Sequence, residues 1–283
     1  MTVALLGCGD DAPSVGVKCG AGTHLENGEC VVDTSDGTNA SAKTDVTSGS
    51  ADAKITADSV LFRAIVTDGF TNKRIKGGEF CVLEPKQSGE NCATTDANGS
   101  TTWHWFSPTK SNYTGQFKHP AYRSMLYLGH WDDDVANFYK PELNSTGMIT
   151  MNFVAFTTPV MNSWLKTGSV IAEKGLGHIF VRVTRSSPSV AVDGITANLS
   201  DGSGTVVYWG ADGQTLNSKL TASSATGHVI IANVAPGTHT LNIKHDTLGC
   251  DNGFTWLVET PNQHTVPVQA DTVTRIGVIC STK

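Results

Sequence analysis

The residues of this sequence best suited to chemistry are its cysteines. The chain has an odd number of them, so one cysteine is left without an intramolecular partner in an oxidising compartment. The seven are Cys8, Cys19, Cys30, Cys81, Cys92, Cys250 and Cys280. Taken in chain order, those after Cys8 form three neighbouring pairs. The sequence therefore predicts three disulfides and leaves Cys8 for another use.

Two of these pairs enclose short loops. Cys19 and Cys30 surround a Gly-rich segment too small to bury a core, and a zinc site there would need more ligands than His24 provides. Cys81 and Cys92 flank LEPKQSGEN, a loop that would close a hairpin and bring the two thiols together across paired strands. Both pairs are predicted to be disulfides, and for Cys19 and Cys30 a disulfide is favoured over a metal site.

The third pair concerns the closing strand TRIGVIC. Side chains alternate along a strand, so Ile276, Val278 and Cys280 share one face, which we expect to point inward. A disulfide from Cys280 to Cys250 would hold this last strand in its sheet.

The stretch ALLGC ends at Cys8. It resembles the bacterial lipobox, where a signal peptidase cuts before a cysteine that then carries lipid. The basic segment and most of the apolar segment of a full signal are missing, so residues 1–7 are interpreted as a truncated signal remnant. The resemblance implies export and lipid attachment at Cys8. Gly9 in place of Asp implies anchoring at the outer membrane. A chance match is the alternative.

Sequence patterns of enzymes are absent. The chain has no G-x-S-x-G, H-E-x-x-H or P-loop motif, and its nine histidines are scattered. The densest polar cluster, GHWDDD, holds His130 with three aspartates, which in a loop point in different directions. The string from Asp96 to Gly99 resembles the start of a calcium loop but lacks the later ligands. We expect no catalytic residue, no metal and no cofactor.

Aromatic residues concentrate between residues 103 and 139. Trp103 and Trp105 lie two positions apart and would share one face of a strand. That face is either the core or, together with Trp131, a platform that stacks on sugar rings or receives a protein. The aromatic cluster is thus the candidate ligand-contact site.

Composition excludes two classes of partner. With 26 acidic against 20 basic residues the formal charge is −6, and no Lys/Arg cluster exceeds a pair, so nucleic acid is not expected. No segment has the ~20 apolar residues that span a bilayer, so contact with a membrane is expected only through a lipid anchor.

The chain divides by composition. After the lipid-attachment site and small disulfide loop at 8–32, the segment 33–56 is polar and predicted to be a flexible, disordered tether. From residue 57 short alternating runs are separated by Gly, Asn and Asp turns, which is typical of β-sandwiches. We place a first sandwich at 57–157, and a short helix followed by a second sandwich at 158–283.

The two predicted sandwiches resemble each other. In ATTDANGSTTWHWFSP and ASSATGHVIIANVAP a Gly, at Gly99 and Gly227, is followed nine residues later by Pro108 and Pro236. Upstream, LFRAIVTDGFTNKRIKGGEFCVL is similar in order to IFVRVTRSSPSVAVDGITANL. A tandem duplication is therefore predicted.

The repeated pattern resembles the carboxypeptidase regulatory-like domain, a transthyretin-like sandwich with a T-D-x-x-G turn and a P-G turn. TTDANG matches well in the first copy and VAPGTHTLNI in the second. Each copy departs from the other's best feature, since Thr109 follows Pro108 in place of Gly and Ala225 stands where the Asp would. The resemblance implies an all-β fold of two tandem seven-stranded-type sandwiches. It implies little about function, because this fold hosts many roles.

Three hypotheses follow for function. The first is a non-enzymatic, lipid-anchored surface protein, an adhesion or interaction module for an unknown surface protein or glycan. The second is a carbohydrate-binding module that uses Trp103, Trp105 and Trp131. The third, a secreted hydrolase, is disfavoured because the sequence offers no catalytic residues.

Overall fold

The computed structural model describes most of the chain from residue 59 onward. The described residues are 23–26, 29–32, 59–84, 92–106, 111–131, 141–142, 145–185, 190–251, 253, 255–256 and 260–282. They belong to two compact units, residues 1–49 and 50–283. Cys8, Cys19, the remnant at 1–7 and the tether at 33–56 lie outside the described residues.

The N-terminal unit contains one described hairpin. Strand β1 (Thr23–Glu26) pairs antiparallel with β2 (Glu29–Val32), and Leu25 is opposite Cys30. The Cys19–Cys30 disulfide stays a prediction because only one of its partners falls within the description.

In its described part the large unit is built mainly from strands, with the short helix α1 (Thr158–Thr167), which confirms the all-β prediction. The half that precedes the helix contains β3 (Ser59–Asp68), β4 (Glu79–Glu84), β5 (Cys92–Thr94), β6 (Ser100–Phe106), β7 (Ser111–Lys118), β8 (Ser124–Trp131) and β9 (Met148–Ala155). The half that follows contains β10 (Gly177–Arg185), β11 (Thr196–Leu199), β12 (Thr205–Trp209), β13 (Leu216–Asn217), β14 (His228–Val234), β15 (Gly237–Lys244), β16 (Leu248–Cys250), β17 (Gln263–Val268) and β18 (Thr272–Thr282).

Both halves repeat one strand topology. In the first, β3 pairs antiparallel with β6 and parallel with β9. In the second, β10 pairs antiparallel with β14 and parallel with β18. The second sheet of each half also corresponds. In the first half β4, β7 and β8 are hydrogen-bonded in that order, and in the second half β11, β15 and β17 are. The predicted duplication is therefore visible in the hydrogen-bonding order.

The repeated glycine turn has the same geometry in both halves. Gly99 and Gly227 adopt φ of +65° and +63°, which favours glycine. A Cβ on Gly99 would lie 2.6 Å from the carbonyl oxygen of Val66, and one on Gly227 would lie 2.4 Å from that of Val183. Each glycine carbonyl accepts a hydrogen bond from the backbone N–H of that same valine, at 2.8 Å in both cases.

A buried side-chain hydroxyl lies a few residues before each of these glycines, on Thr95 before Gly99 and on Ser223 before Gly227. Thr95 donates to the carbonyl of Ile75 at 2.7 Å and accepts from the N–H of Gly78. Ser223 donates to Val192 and accepts from Ile195, each at 3.0 Å. These bonds explain the Thr of the T-D-x-x-G pattern as a link between the turn and a neighbouring strand.

The acidic position of that motif is occupied by a serine in the second copy. Asp96 Oδ1 accepts from the N–H groups of Asn98 and Ser100, so this carboxylate closes a turn. Ser224, and not Ala225, is its counterpart, and its hydroxyl accepts from the N–H of Thr226. The alignment of Ala225 with the Asp position was one residue out of register.

The two halves share a sheet. Strand β18 pairs with β10 on one side, and its residues Thr272–Arg275 pair in parallel with Ser124–Tyr127 of β8 on the other. The resulting sheet runs β13-β12-β14-β10-β18-β8-β7-β4-β5, with β16 beside the end of β18. Hydrogen bonds therefore cross the predicted boundary at 157/158, and residues 50–283 form one compact unit.

Helix α1 packs on the face of this sheet that is opposite to the core between the sheets of the second half. Thr157 is the N-cap, whose side chain accepts from the N–H of Val160, and Gly168 is the C-cap. Met161 and Leu165 are buried in a core that also contains Phe180 of the second half. A second core lies between the sheets of the second half.

Two disulfides lie in the large unit. Cys81 is bonded to Cys92 across the β4–β5 pair, and Cys250 to Cys280 across the β16–β18 pair. Ile276, Val278 and Cys280 are all buried, as expected from the alternation of the closing strand. The 250–280 bridge holds the end of β18 against β16.

Candidate functional site

The cysteines of the large unit serve structure. Glu79, Cys81 and Cys92 place their ligand atoms within 4.8 Å of one another, a spacing compatible with a metal ion. Both sulfurs are already consumed in the disulfide, so they are not thiolate ligands in this state.

Trp103 belongs to the core more than to a surface. Its ring is half-buried and stacks on Phe62 at a centroid distance of 6.0 Å and on Phe80 at 5.2 Å. These contacts favour the core alternative for Trp103, and its contact with a ligand stays a prediction. Trp105 and Trp131 lie in β6 and β8, and their side chains fall outside the description, so their contact with a ligand stays a prediction.

The polar cluster after β8 is described only at its start. His130 is buried, and its Nδ1 lies 3.0 Å from the carbonyl oxygen of Thr255. Asp132, Asp133 and Asp134 lie outside the described residues.

The structure brings together a different set of residues. A cleft of about 400 Å³ opens where β8, β10 and β18 of the shared sheet meet β9. Its lining includes three arginines, Arg182, Arg185 and Arg275. We call this the arginine cleft.

Strand alternation places the arginines. In β10 the buried Val181 and Val183 point into the core between the sheets, so Arg182 points to the opposite face. In β18 the same alternation makes Arg275 and the buried Ile276 point to opposite faces of the sheet. Because β18 also pairs with β8, Arg275 is directly opposite Tyr127.

Positive charge is concentrated in this cleft. Burial, mainly, lowers the pKa of Arg275, with a smaller lowering by Arg182. The neighbouring His228 has its pKa lowered to about 4, first by burial and then by Arg182 and Arg275. Among the residues that the structure describes, no carboxylate lies within ion-pair distance of Arg182, Arg185 or Arg275.

The first half contributes neutral groups. Thr150 and Asn152 on β9 line the cleft beside Met151 and Phe153. The Tyr127 hydroxyl donates to the carbonyl oxygen of Val154 at 2.9 Å, which ties β8 to β9. Burial raises the pKa of Tyr127, so this phenol stays protonated at neutral pH.

Sequence reasoning missed this cleft, although a signal was present. Each of the apolar strands IFVRV and TRIGV contains one arginine, at Arg182 and Arg275. A charge on an otherwise apolar strand marks a special position. The meeting of the two, however, depends on the parallel β10–β18 pairing.

Comparisons with known proteins yield no family. No known family matches the chain, and no curated protein is significantly similar to it. No helix in the described part of the chain is long and apolar enough to cross a membrane.

Solved structures show a distant likeness. The chain is similar to GBS52, the minor pilin of Streptococcus agalactiae, with 10% identity and a TM-score of 0.25 over 79% of this chain and 96% of that one. It is similar to BcpA, the major pilin subunit of Bacillus cereus, with 9% identity and a TM-score of 0.25 over 80% and 100% of the two chains. It is also similar to the Bacillus anthracis TIE protein, with 8% identity and a TM-score of 0.25, over 79% of this chain but only 34% of that one. Likeness at this level does not assign the chain to any of these groups.

Proposed function

We propose that this chain is a non-enzymatic interaction module of the bacterial cell surface, held to the outer membrane by lipid on Cys8. The observation that carries the proposal is the pair of disulfides inside one β body, Cys81–Cys92 and Cys250–Cys280. Such bonds persist in exported proteins and are rare in the cytosol. A lipobox-like stretch and a polar tether before the body complete the layout of an anchored surface module.

The body suits binding. The two halves share a sheet, and the arginine cleft between them is lined by side chains fixed on strands. Sites built on strands are preformed, which lowers the entropy lost on binding a partner. The partner is a surface protein or a glycan.

The anchor is tested on protein isolated from the native cells. We expect mass spectrometry to show a mature N-terminus at Cys8 carrying two or three acyl chains, which anchor durably at ~0.8 kcal/mol per buried CH₂. Cys8→Ser should release the chain from the outer-membrane fraction, while Cys81→Ser should leave it there. An unmodified Cys8 would refute the anchor.

A further inference from the structure

We infer that the arginine cleft binds an acidic sugar, a ring that carries a carboxylate or a sulfate group. This inference rests on the interaction role proposed above and names the ligand class for it. It depends only on the geometry of the large unit and is independent of the lipid anchor.

The charge of the cleft selects an anion. Arg182 and Arg275 lie on adjacent strands of one sheet, and the described residues offer neither of them a carboxylate. Guanidinium groups bind planar carboxylates and sulfates through paired hydrogen bonds. Glu142, which approaches β9, is already used, because its carboxylate accepts from the N–H of Thr150 at 2.8 Å.

Arg275 gives the strongest indication. Its side chain is half-buried, makes no hydrogen bond to any described residue, and lies beside Tyr127 in the β8–β18 register. A partly desolvated cation without a carboxylate partner is costly. A bound anion would remove that cost, so the cleft is organised for an anionic ligand before the ligand arrives.

The remaining lining distinguishes a sugar from a bare anion. Thr150, Asn152 and Thr184 can exchange hydrogen bonds with ring hydroxyls, while Met151 and Phe153 offer apolar contact to the C–H face of a ring. A volume of about 400 Å³ lies within the range of small-ligand sites. It is too confined for the extended backbone contacts of a nucleic acid.

Another depression in the same unit is a weaker candidate. It measures about 490 Å³ and is lined by Lys244, His245 and Asp246 among others. These groups include both signs of charge within three consecutive residues. The arginine cleft carries one sign only.

The test is calorimetric titration of the full chain with defined sugars. The probes are N-acetylneuraminic acid, a glucuronic-acid disaccharide and a sulfated glucosamine, with glucose as the neutral control. We expect the acidic probes to bind and glucose not to bind, with weaker binding at high salt because the attraction is electrostatic.

Two variants locate the site. Arg182 is exposed, so Arg182→Gln should fold normally and weaken binding by tenfold or more. Arg275→Lys keeps the charge but loses the paired geometry, and should also weaken binding. Arg74→Gln, at an exposed arginine outside the cleft, is the matched control and should leave binding unchanged.

Several results would overturn the inference. These are binding of glucose as tight as that of the acidic probes, no binding of any acidic probe, or equal loss with Arg74→Gln. Acetate or inorganic sulfate binding as tightly as the sugars would reduce the cleft to a bare anion site, and selective binding of a peptide carboxyl terminus would replace the sugar by a protein. If acidic sugars fail but purified chain still adheres to cells, the ligand class is wrong and the interaction role stands.

Discussion

The repeated glycine turn allows a prediction whose size follows from the structure. We consider Gly227→Ala and compare it with Gly202→Ala. Both glycines have a positive φ, +63° and +71°. A Cβ at position 202 would meet nothing within 4 Å, whereas one at 227 would lie 2.4 Å from the Val183 carbonyl oxygen and 3.0 Å from the Val192 nitrogen. The pair separates backbone strain from steric conflict.

The two costs add at position 227. A left-handed conformation costs an alanine roughly 1 to 2 kcal/mol, which is the whole effect expected for Gly202→Ala. Forcing a methyl group against a fixed β10 carbonyl adds about 1 to 3 kcal/mol. We therefore expect Gly227→Ala to lower the free energy of unfolding by about 2 to 5 kcal/mol, or the melting temperature by roughly 10 °C, at about 2 to 4 °C per kcal/mol for a body of this size.

Urea and thermal unfolding followed by circular dichroism measure both variants. Gly99→Ala should match Gly227→Ala, because its Cβ would lie 2.6 Å from the equivalent carbonyl of Val66. If Gly227→Ala proves no more destabilising than Gly202→Ala, the turn does not constrain the neighbouring strand and the reasoning fails.

Three further predictions follow from other features. Burial lowers the pKa of His178, His228 and His264 to about 4. In the unfolded chain a histidine has a pKa of about 6.5, so the unfolded state takes up protons first as the pH falls. The contribution of these histidines to the free energy of unfolding is therefore full above pH 6.5 and is lost as the pH falls toward 4, by up to about 2 kcal/mol per histidine at pH 5. Urea midpoints that stay constant from pH 7 to pH 5 would contradict this. Because the two halves share a sheet, Cys81→Ser and Cys250→Ser should each destabilise the whole body in a single unfolding transition. The expected loss in the free energy of unfolding is about 2.8 and about 3.7 kcal/mol, from the chain entropy of the two loops. A calorimetric trace in which only one of two transitions moves would show that the halves unfold independently. Trp103→Ala should lower the free energy of unfolding by about 3 to 5 kcal/mol, because the half-buried ring stacks on Phe62 and on Phe80, and unchanged stability would favour the surface-platform alternative.

The local features of the fold could be predicted from sequence. Turn glycines, strand alternation and the paired strands that carry Cys81 and Cys92 depend on residues close along the chain, and the structure has all three. Even the inward face of the closing strand follows from the period of two. Such features were predictable because each is determined within a few residues.

The long-range pairings could not be predicted in this way. The sequence of β18 is compatible with an edge strand of a second sandwich, and nothing in TRIGVIC identifies β8 as its second neighbour. Packing between distant segments decides that pairing. The counterpart of Asp96 was misplaced for a different, local reason, since Ser224 accepts the turn hydrogen bond through a hydroxyl and carries no charge.

The arginine cleft lies where the strand pairing of the two halves differs. Strands β9 and β18 are equivalent, each parallel to the first strand of its half. Yet β18 pairs on its other side with β8, whereas no described strand pairs with the other side of β9, where Tyr127 bonds to Val154. The arginines come from the second half, whereas Thr150, Asn152, Met151 and Phe153 come from the first. Neither half alone supplies all of these groups, so the cleft depends on the pairing of β18 with β8.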